Sequence, residues 1–369
     1  TLRASHVKRE LSSRYAGEKV RIVVLRDEKR IENEVELIAK LQPYQHPFLG
    51  VLPIRRTASL AAGGTDEKPG VTVRYVYPEG PAAAAGVQPG DVLISVAGNS
   101  IADRDELAQQ IGNFEPGAEV ELDIRRGDKP QKMKATLGTL PEDLPAEDLP
   151  EARKPAEPPE GELPDVGAVE MKVPEMKNDA WAYVPEGYNP AVAHGVVVWL
   201  HAPGGFDWDK LLKRWKPLCD RHDLILLAPK AEDPKAWKPN EAALAQKLLD
   251  QITSAYTVDP ARVVIHGHEG GGAMACMVAF RQRELVRAVA VVDAPIAGRP
   301  PENDPLHRLA IYLTTAKKSK HAAAMRKTIP GLRAMKIPVT VKDLGDDPRY
   351  LNDEELAELV RWIDTLDRI

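Results

Sequence analysis

His201, His268 and Glu269 are side chains of the kinds that move protons or hold metal ions. If the fold gathers them, two imidazoles and a carboxylate make a small polar cluster with the donor chemistry of a divalent metal site. The plainer reading, adopted here, is that both histidines are packed neighbours of a turn, with no metal and no cofactor. Lys317, Lys318 and Lys320 also crowd together, and they are read as the solvated start of a helix. Cys219 and Cys276 are the only cysteines, too few for a disulfide framework or a thiolate metal site, and are read as buried free thiols.

A chain of 369 residues is long enough for two or three domains, each with its own core. With 50 basic against 55 acidic residues the net charge is −5, which gives no general electrostatic reason to bind nucleic acid or an anionic membrane. No stretch reaches the roughly 18–20 apolar residues of a membrane helix, so no membrane span is expected. Residues 1–20 lack the apolar core of a signal peptide. Because the sequence opens at Thr1 directly on an amphipathic pattern, it is expected to be a segment of a longer precursor.

The elements that must position these side chains begin with an internal repeat, offset by 100 residues. Residues 7–37 and 107–137 each read as a helix closed by glycine, a strand of alternating apolar residues, a charged turn and a second strand. The first copy has the tail of the unit without its beginning, so residues 1–43 are read as the second half of a truncated domain. Residues 140–166 are acidic and rich in proline, and are expected to form an extended, solvated linker. Beyond it strands and helices alternate: strands at 181–184, 196–200, 224–228, 263–266, 288–292, 309–314 and 339–341, and helices at 242–256, 273–283 and 354–366. That pattern implies a doubly wound α/β sheet.

Residues 46–139 resemble the PDZ domains of HtrA-type and tail-specific bacterial proteases. The resemblance rests on Glu79-Gly80-Pro81-Ala82-Ala83-Ala84-Ala85-Gly86-Val87-Gln88-Pro89-Gly90-Asp91-Val92-Leu93, followed by Ile94, Val96, Gly98 and Ile101. It implies an α+β module that takes C-terminal or extended peptide segments as an added strand and captures a carboxylate on the amides of an apolar-Gly-apolar loop. The matching loop is Phe48-Leu49-Gly50-Val51, and Leu107 on the helix 104–111 would face the peptide. Pro53 departs from the pattern, since it stands where an amide would pair with the incoming strand and it has none to give. Weak binding, or a groove filled by another part of the protein, is therefore expected.

Residues 168–369 resemble α/β-hydrolases of the carboxylesterase and prolyl-oligopeptidase-like kind. The apolar run at 196–200 leads into His201-Ala202-Pro203-Gly204-Gly205, similar to the family's oxyanion loop, and 259–267 leads to the position of the nucleophile. There the chemistry requires Gly-x-Ser-x-Gly, because small residues let a strained turn push the serine oxygen out above the sheet. This sequence has Gly267-His268-Glu269-Gly270-Gly271. The resemblance places the acid just past strand 309–314, where Ser319 falls, and the histidine in 344–351, where Pro348 falls and no histidine occurs. Glu269, Ser319 and Pro348 are thus degenerate catalytic positions, Gly204, Gly205 and Gly270 remain from the oxyanion site, and the helix after the elbow is expected to aim its N-terminus at the Glu269 carboxylate. The alternative is an esterase or peptidase with Glu269 as carboxylate nucleophile. The resemblance further implies the C-terminal part of a periplasmic or secreted PDZ-containing serine protease.

Overall fold

The computed structural model describes residues 11–26, 29–39, 42–55, 69–146, 149–153 and 163–369. It forms two compact units, Thr1–Pro43 and Tyr44–Ile369. In the first, β1 (Lys19–Arg26) and β2 (Lys29–Glu36) make an antiparallel hairpin with Lys19 opposite Glu36. The Gly17 amide donates to the Leu37 carbonyl at 2.7 Å. Most of the helix expected ahead of this hairpin lies outside the described residues.

The second unit opens with an α+β module. It comprises β3 (Pro47–Phe48), β4 (Val51–Pro53), β5 (Val71–Val76), α1 (Pro81–Ala84), β6 (Val92–Val96), β7 (Asn99–Ser100), α2 (Arg104–Gly112), β8 (Glu119–Arg126), β9 (Lys129–Thr136) and β10 (Gly138–Thr139). β4, β5, β6, β8 and β9 pair in that order, β7 joins β6, and β3 pairs β10. Asp103 caps α2 by accepting from the Glu106 amide, and Asp105 and Glu106 add negative charge to its first turn. The β8–β9 hairpin repeats the first unit's register 100 residues on, with Glu119 opposite Thr136 and the Gly117 amide donating to Leu137 at 2.7 Å. The two copies differ in cover. Leu122 and Ile124 are buried, whereas Ile22 and Val24 are 42% and 40% exposed, because β1 and β2 form a sheet of two strands only.

The remainder is a mixed sheet of eight strands: β11 (Gly167–Met171), β12 (Ala180–Val184), β13 (His194–Leu200), β14 (Leu224–Pro229), β15 (Val258–His268), β16 (Ala288–Val292), β17 (Ala310–Thr315) and β18 (Val339–Asp343). Their order is β11-β12-β14-β13-β15-β16-β17-β18, antiparallel at the first two pairings and parallel from β14 onward. One face is covered by α4 (Ala242–Ala255), α5 (Gly270–Arg281) and α6 (Ala322–Ala334), through Leu248, Val278 and Met325. α3 (Trp208–His222) and α7 (Asp353–Asp364) cover the other, through Trp215 and Ile363. Asn352 and Glu355 cap α7 reciprocally, each side chain accepting the other's amide at 2.8 Å. The fold class is the one expected, an α+β module plus an α/β-hydrolase-like sheet domain.

Two expectations need correction. The Pro-rich stretch is not simply extended and solvated, because main-chain carbonyls along it and the Glu142 carboxylate are engaged. Pro150 accepts from Arg74 at 2.9 Å, Ala152 from the Arg55 amide at 2.7 Å, and the Glu142 carbonyl from Thr340 at 2.7 Å, while the Glu142 carboxylate takes Arg333 at 2.8 Å. The helix after the elbow begins at Gly270 rather than 273, because the run of glycines serves a close approach and not a loop.

Candidate functional site

The peptide groove lies between β4 and α2. Gly50, at φ 95°, turns the loop so that its amide and that of Val51 converge on one acceptor, the main-chain oxygen of Ile369, at 2.8 and 3.1 Å. The Ile369 amide in turn donates to the Val51 carbonyl at 3.0 Å, so Ile369 pairs with β4 as an added strand would. Its side chain is 5% exposed and joins the apolar cluster that includes Leu49, Val51, Leu107 and Ile111. Phe48 points elsewhere, into a separate aromatic cluster with its ring 5.1 Å from Tyr77. Pro53 ends β4, and its carbonyl accepts from Arg74 Nε at 3.1 Å, which closes the ladder after one residue pair.

Behind the groove, the module meets the sheet domain through buried arginines and aspartates. Asp259 accepts from Arg104 at 3.0 Å and Arg262 at 2.9 Å, Arg55 reaches Asp364 at 2.7 Å and Asp367 at 2.8 Å, and Arg74 reaches Asp364 at 3.2 Å. Burial would raise the carboxyl pKa values of Asp259 and Asp364. The guanidiniums prevail and hold both below the usual carboxylate range.

A tight elbow joins β15 to α5, with Glu269 at its turn. Glu269 sits at φ 47°, ψ −116° between β15 and α5, a conformation that ordinary side chains resist. The glycines around it are sterically required. A Cβ at Gly267 would lie 2.2 Å from the Gly271 carbonyl oxygen, and one at Gly271 would lie 2.1 Å from that of Leu200. The Glu269 side chain makes no capping hydrogen bond to α5. Gly204, at φ 107°, gives its amide to the Pro234 carbonyl at 2.7 Å, so that donor is already engaged. Gly270 opens α5 beside Pro203.

At the two further positions that the resemblance assigns to a triad, the Ser319 hydroxyl accepts from the His321 amide at 2.9 Å, and Pro348 is exposed in the loop after β18. The same loop contributes the half-buried Tyr350. Its hydroxyl accepts from Trp199 Nε1 at 2.9 Å and donates to His266 Nε2 at 2.9 Å, while His266 Nδ1 donates to the Ala290 carbonyl at 3.1 Å. His201 likewise has both nitrogens engaged, with Ala202 at 2.7 Å and the Ala231 amide at 2.9 Å. It is therefore committed to the backbone, not to a metal. Among the described residues no group of three His, Cys, Asp or Glu is arranged to hold a metal ion. Cys219 and Cys276 are buried free thiols, and burial pushes Cys276 up to about 12.

Sequence reasoning missed Asp293. It follows β16, is 3% exposed at φ 47°, and its Oδ1 is buried without a hydrogen-bond partner among the described residues. Asp293 and Glu269 both favour the charged form of His268, yet burial dominates and lowers that imidazole's pKa. It also missed Ile369, whose pairing with Gly50 and Val51 joins residues more than 300 positions apart.

Strain at the elbow is testable. Glu269→Gly is expected to stabilise the fold by about 1–2 kcal/mol, because relief of about 1–3 kcal/mol of backbone strain outweighs glycine's entropy cost of about 0.5–1 kcal/mol. A urea midpoint that falls would show that the glutamate side chain makes contacts worth more than the strain.

Residues 47–137 match the family model described as a PDZ domain. A "Probable periplasmic serine endoprotease DegP-like" of Ectopseudomonas mendocina is 37% identical over 97 residues, which cover 26% of this chain and 20% of that protein. The chain therefore spans a fifth of that relative's length. Among solved structures, a thermostable esterase is similar at 19% identity and a TM-score of 0.40, over 55% of this chain and 60% of that one. The HtrA3 PDZ domain bound to a phage-derived ligand is similar at 26% identity and a TM-score of 0.22, over 26% of this chain and 86% of that one. PDZ domains generally bind peptide ligands, and this chain joins such a domain to a mixed α/β sheet domain.

Proposed function

We propose that this chain recognises peptide segments through its PDZ groove, and that the α/β-hydrolase-like domain beside it is a catalytically degenerate scaffold. The observation that carries the reading is the convergence of the Gly50 and Val51 amides on a single main-chain oxygen, with an aliphatic side chain seated among Leu49, Val51, Leu107 and Ile111. Two adjacent amides and an apolar pocket are what the end of an extended aliphatic peptide requires. Degeneracy is supported by Glu269 at the elbow, by the engaged Gly204 amide, and by Tyr350 in the segment where a histidine base belongs. The relatives named as periplasmic endoproteases support a periplasmic or secreted setting, as part of a PDZ-containing serine protease.

The test is a titration of the Ile369→Arg chain with a labelled peptide reproducing residues 360–369, once with a free carboxylate and once amidated. Amidation is expected to weaken binding. Equal binding of both forms, or of neither, removes the groove reading.

A further inference from the structure

We infer that the groove's ligand is the chain's own segment 367–369, bound in cis, and that other peptides must displace it. The inference rests on the groove reading above and adds its occupant. Three contacts define the docking: Gly50 and Val51 donate to the Ile369 oxygen at 2.8 and 3.1 Å, Ile369 donates back to Val51 at 3.0 Å, and the isoleucine side chain fills the apolar pocket. None of these is a chance surface contact, for Leu49, Val51 and Leu107 are fully buried with Ile369 in place.

The approach to the groove is built as well. After α7 ends at Asp364, the chain turns through hydrogen bonds from Thr365 to Trp362 and from Arg368 to Thr365. Arg308 then donates to the Leu366 and Arg368 carbonyls, which aims Ile369 at the loop. Antiparallel continuation would bring Asp367 opposite Pro53, where no amide is available. Ion pairing replaces the missing ladder bond: Asp367 is fully buried, with Arg55 Nε at 2.8 Å and Arg74 at 3.8 Å. The groove thus selects an aliphatic residue at its closed end and a carboxylate two residues before it, and a competing peptide must supply both.

Magnitudes favour the internal ligand. A segment tethered within reach of its site has an effective concentration in the millimolar range, so a peptide of micromolar intrinsic Kd meets about a thousandfold competition. The experiment is backbone amide exchange at Gly50 and Val51 in the full chain, together with affinity for the free-carboxylate 360–369 peptide, in wild type, Ile369→Ala and Ile369→Arg. Ile369→Ala removes only the seated side chain, so the comparison survives if the arginine variant fails to fold. Wild type is expected to protect both amides and to bind the peptide at least about tenfold more weakly than the variants, whose amides exchange faster. A peptide with lysine in place of the residue equivalent to Asp367 is expected to bind at least about tenfold more weakly than its parent. Unchanged exchange between wild type and both variants overturns the occupancy. Equal peptide affinity in all three also overturns it while leaving the groove reading intact, and variants with released amides that bind no peptide overturn the groove reading instead.

Discussion

Asp259→Ala is expected to lower the unfolding free energy by about 3–5 kcal/mol, the usual cost of removing one partner from a buried ion pair. Asp259 is 2% exposed and accepts from Arg104, Arg262 and the Ala261 amide, with Arg55 at 3.8 Å. Arg262 is fully buried, and without Asp259 it keeps only carbonyl acceptors at His222 and Ala193. Burial and neighbouring Arg55 already pull its pKa down, and since arginine stays protonated in proteins, its charge would lose its ion-pair partner and keep only the attraction of Asp364. Asp259→Asn keeps a hydrogen-bonding amide and is expected to fall between the two. Urea unfolding measures both, and a loss below about 1 kcal/mol for alanine would mean that water or rearrangement compensates the arginines.

Acidification from pH 6.5 to 4 is expected to cost on the order of 3 kcal/mol for each of His266 and His46. Burial pushes His266 down to about 4, and burial with the Arg308 charge pushes His46 down to about 3. Both are neutral in the fold and stabilise it fully above the unfolded imidazole pKa of about 6.5. Below that value the unfolded chain binds protons first, and the contribution is lost at about 1.4 kcal/mol per pH unit per group as the pH approaches the folded pKa. Asp259 and Asp364 do not share this window. Their depressed pKa values leave their contribution intact until the pH falls below the unfolded carboxylate value of about 3.9. The slope of stability against pH in His266→Gln should therefore flatten between pH 6.5 and 4, and an unchanged slope would contradict the assignment.

Features written in consecutive residues were legible from the sequence. Phe48-Leu49-Gly50-Val51, the glycines around Glu269 and the β8–β9 hairpin each impose their geometry locally, through positive φ, close approach or period-two alternation. Phe48 shows the limit of even this, for the motif includes it and the fold turns its ring into another cluster. What stayed hidden needs partners far apart in the chain. Arg55 and Asp367 are separated by 312 residues, and nothing in their local sequence distinguishes them from solvated charges. Asp293 reaches the elbow region because it follows β16, the neighbour of β15, and Tyr350 because the segment after edge strand β18 crosses back to His266 on β15. The Pro-rich stretch misled for a related reason: composition reports lost donors, whereas docking depends on the Glu142, Pro150 and Ala152 carbonyls meeting donors far away in the chain.

The most direct test of the proposed degenerate scaffold is hydrolysis of an activated p-nitrophenyl ester by wild type, Glu269→Ser and Glu269→Gln, measured at one enzyme concentration. With Tyr350 tied to Trp199 and His266, no histidine in the 344–351 segment and the Gly204 amide engaged, a serine at 269 would lack the late histidine base that the resemblance calls for. The account predicts background rates for all three proteins. Turnover by wild type that Glu269→Gln abolishes would contradict it and make Glu269 a nucleophile.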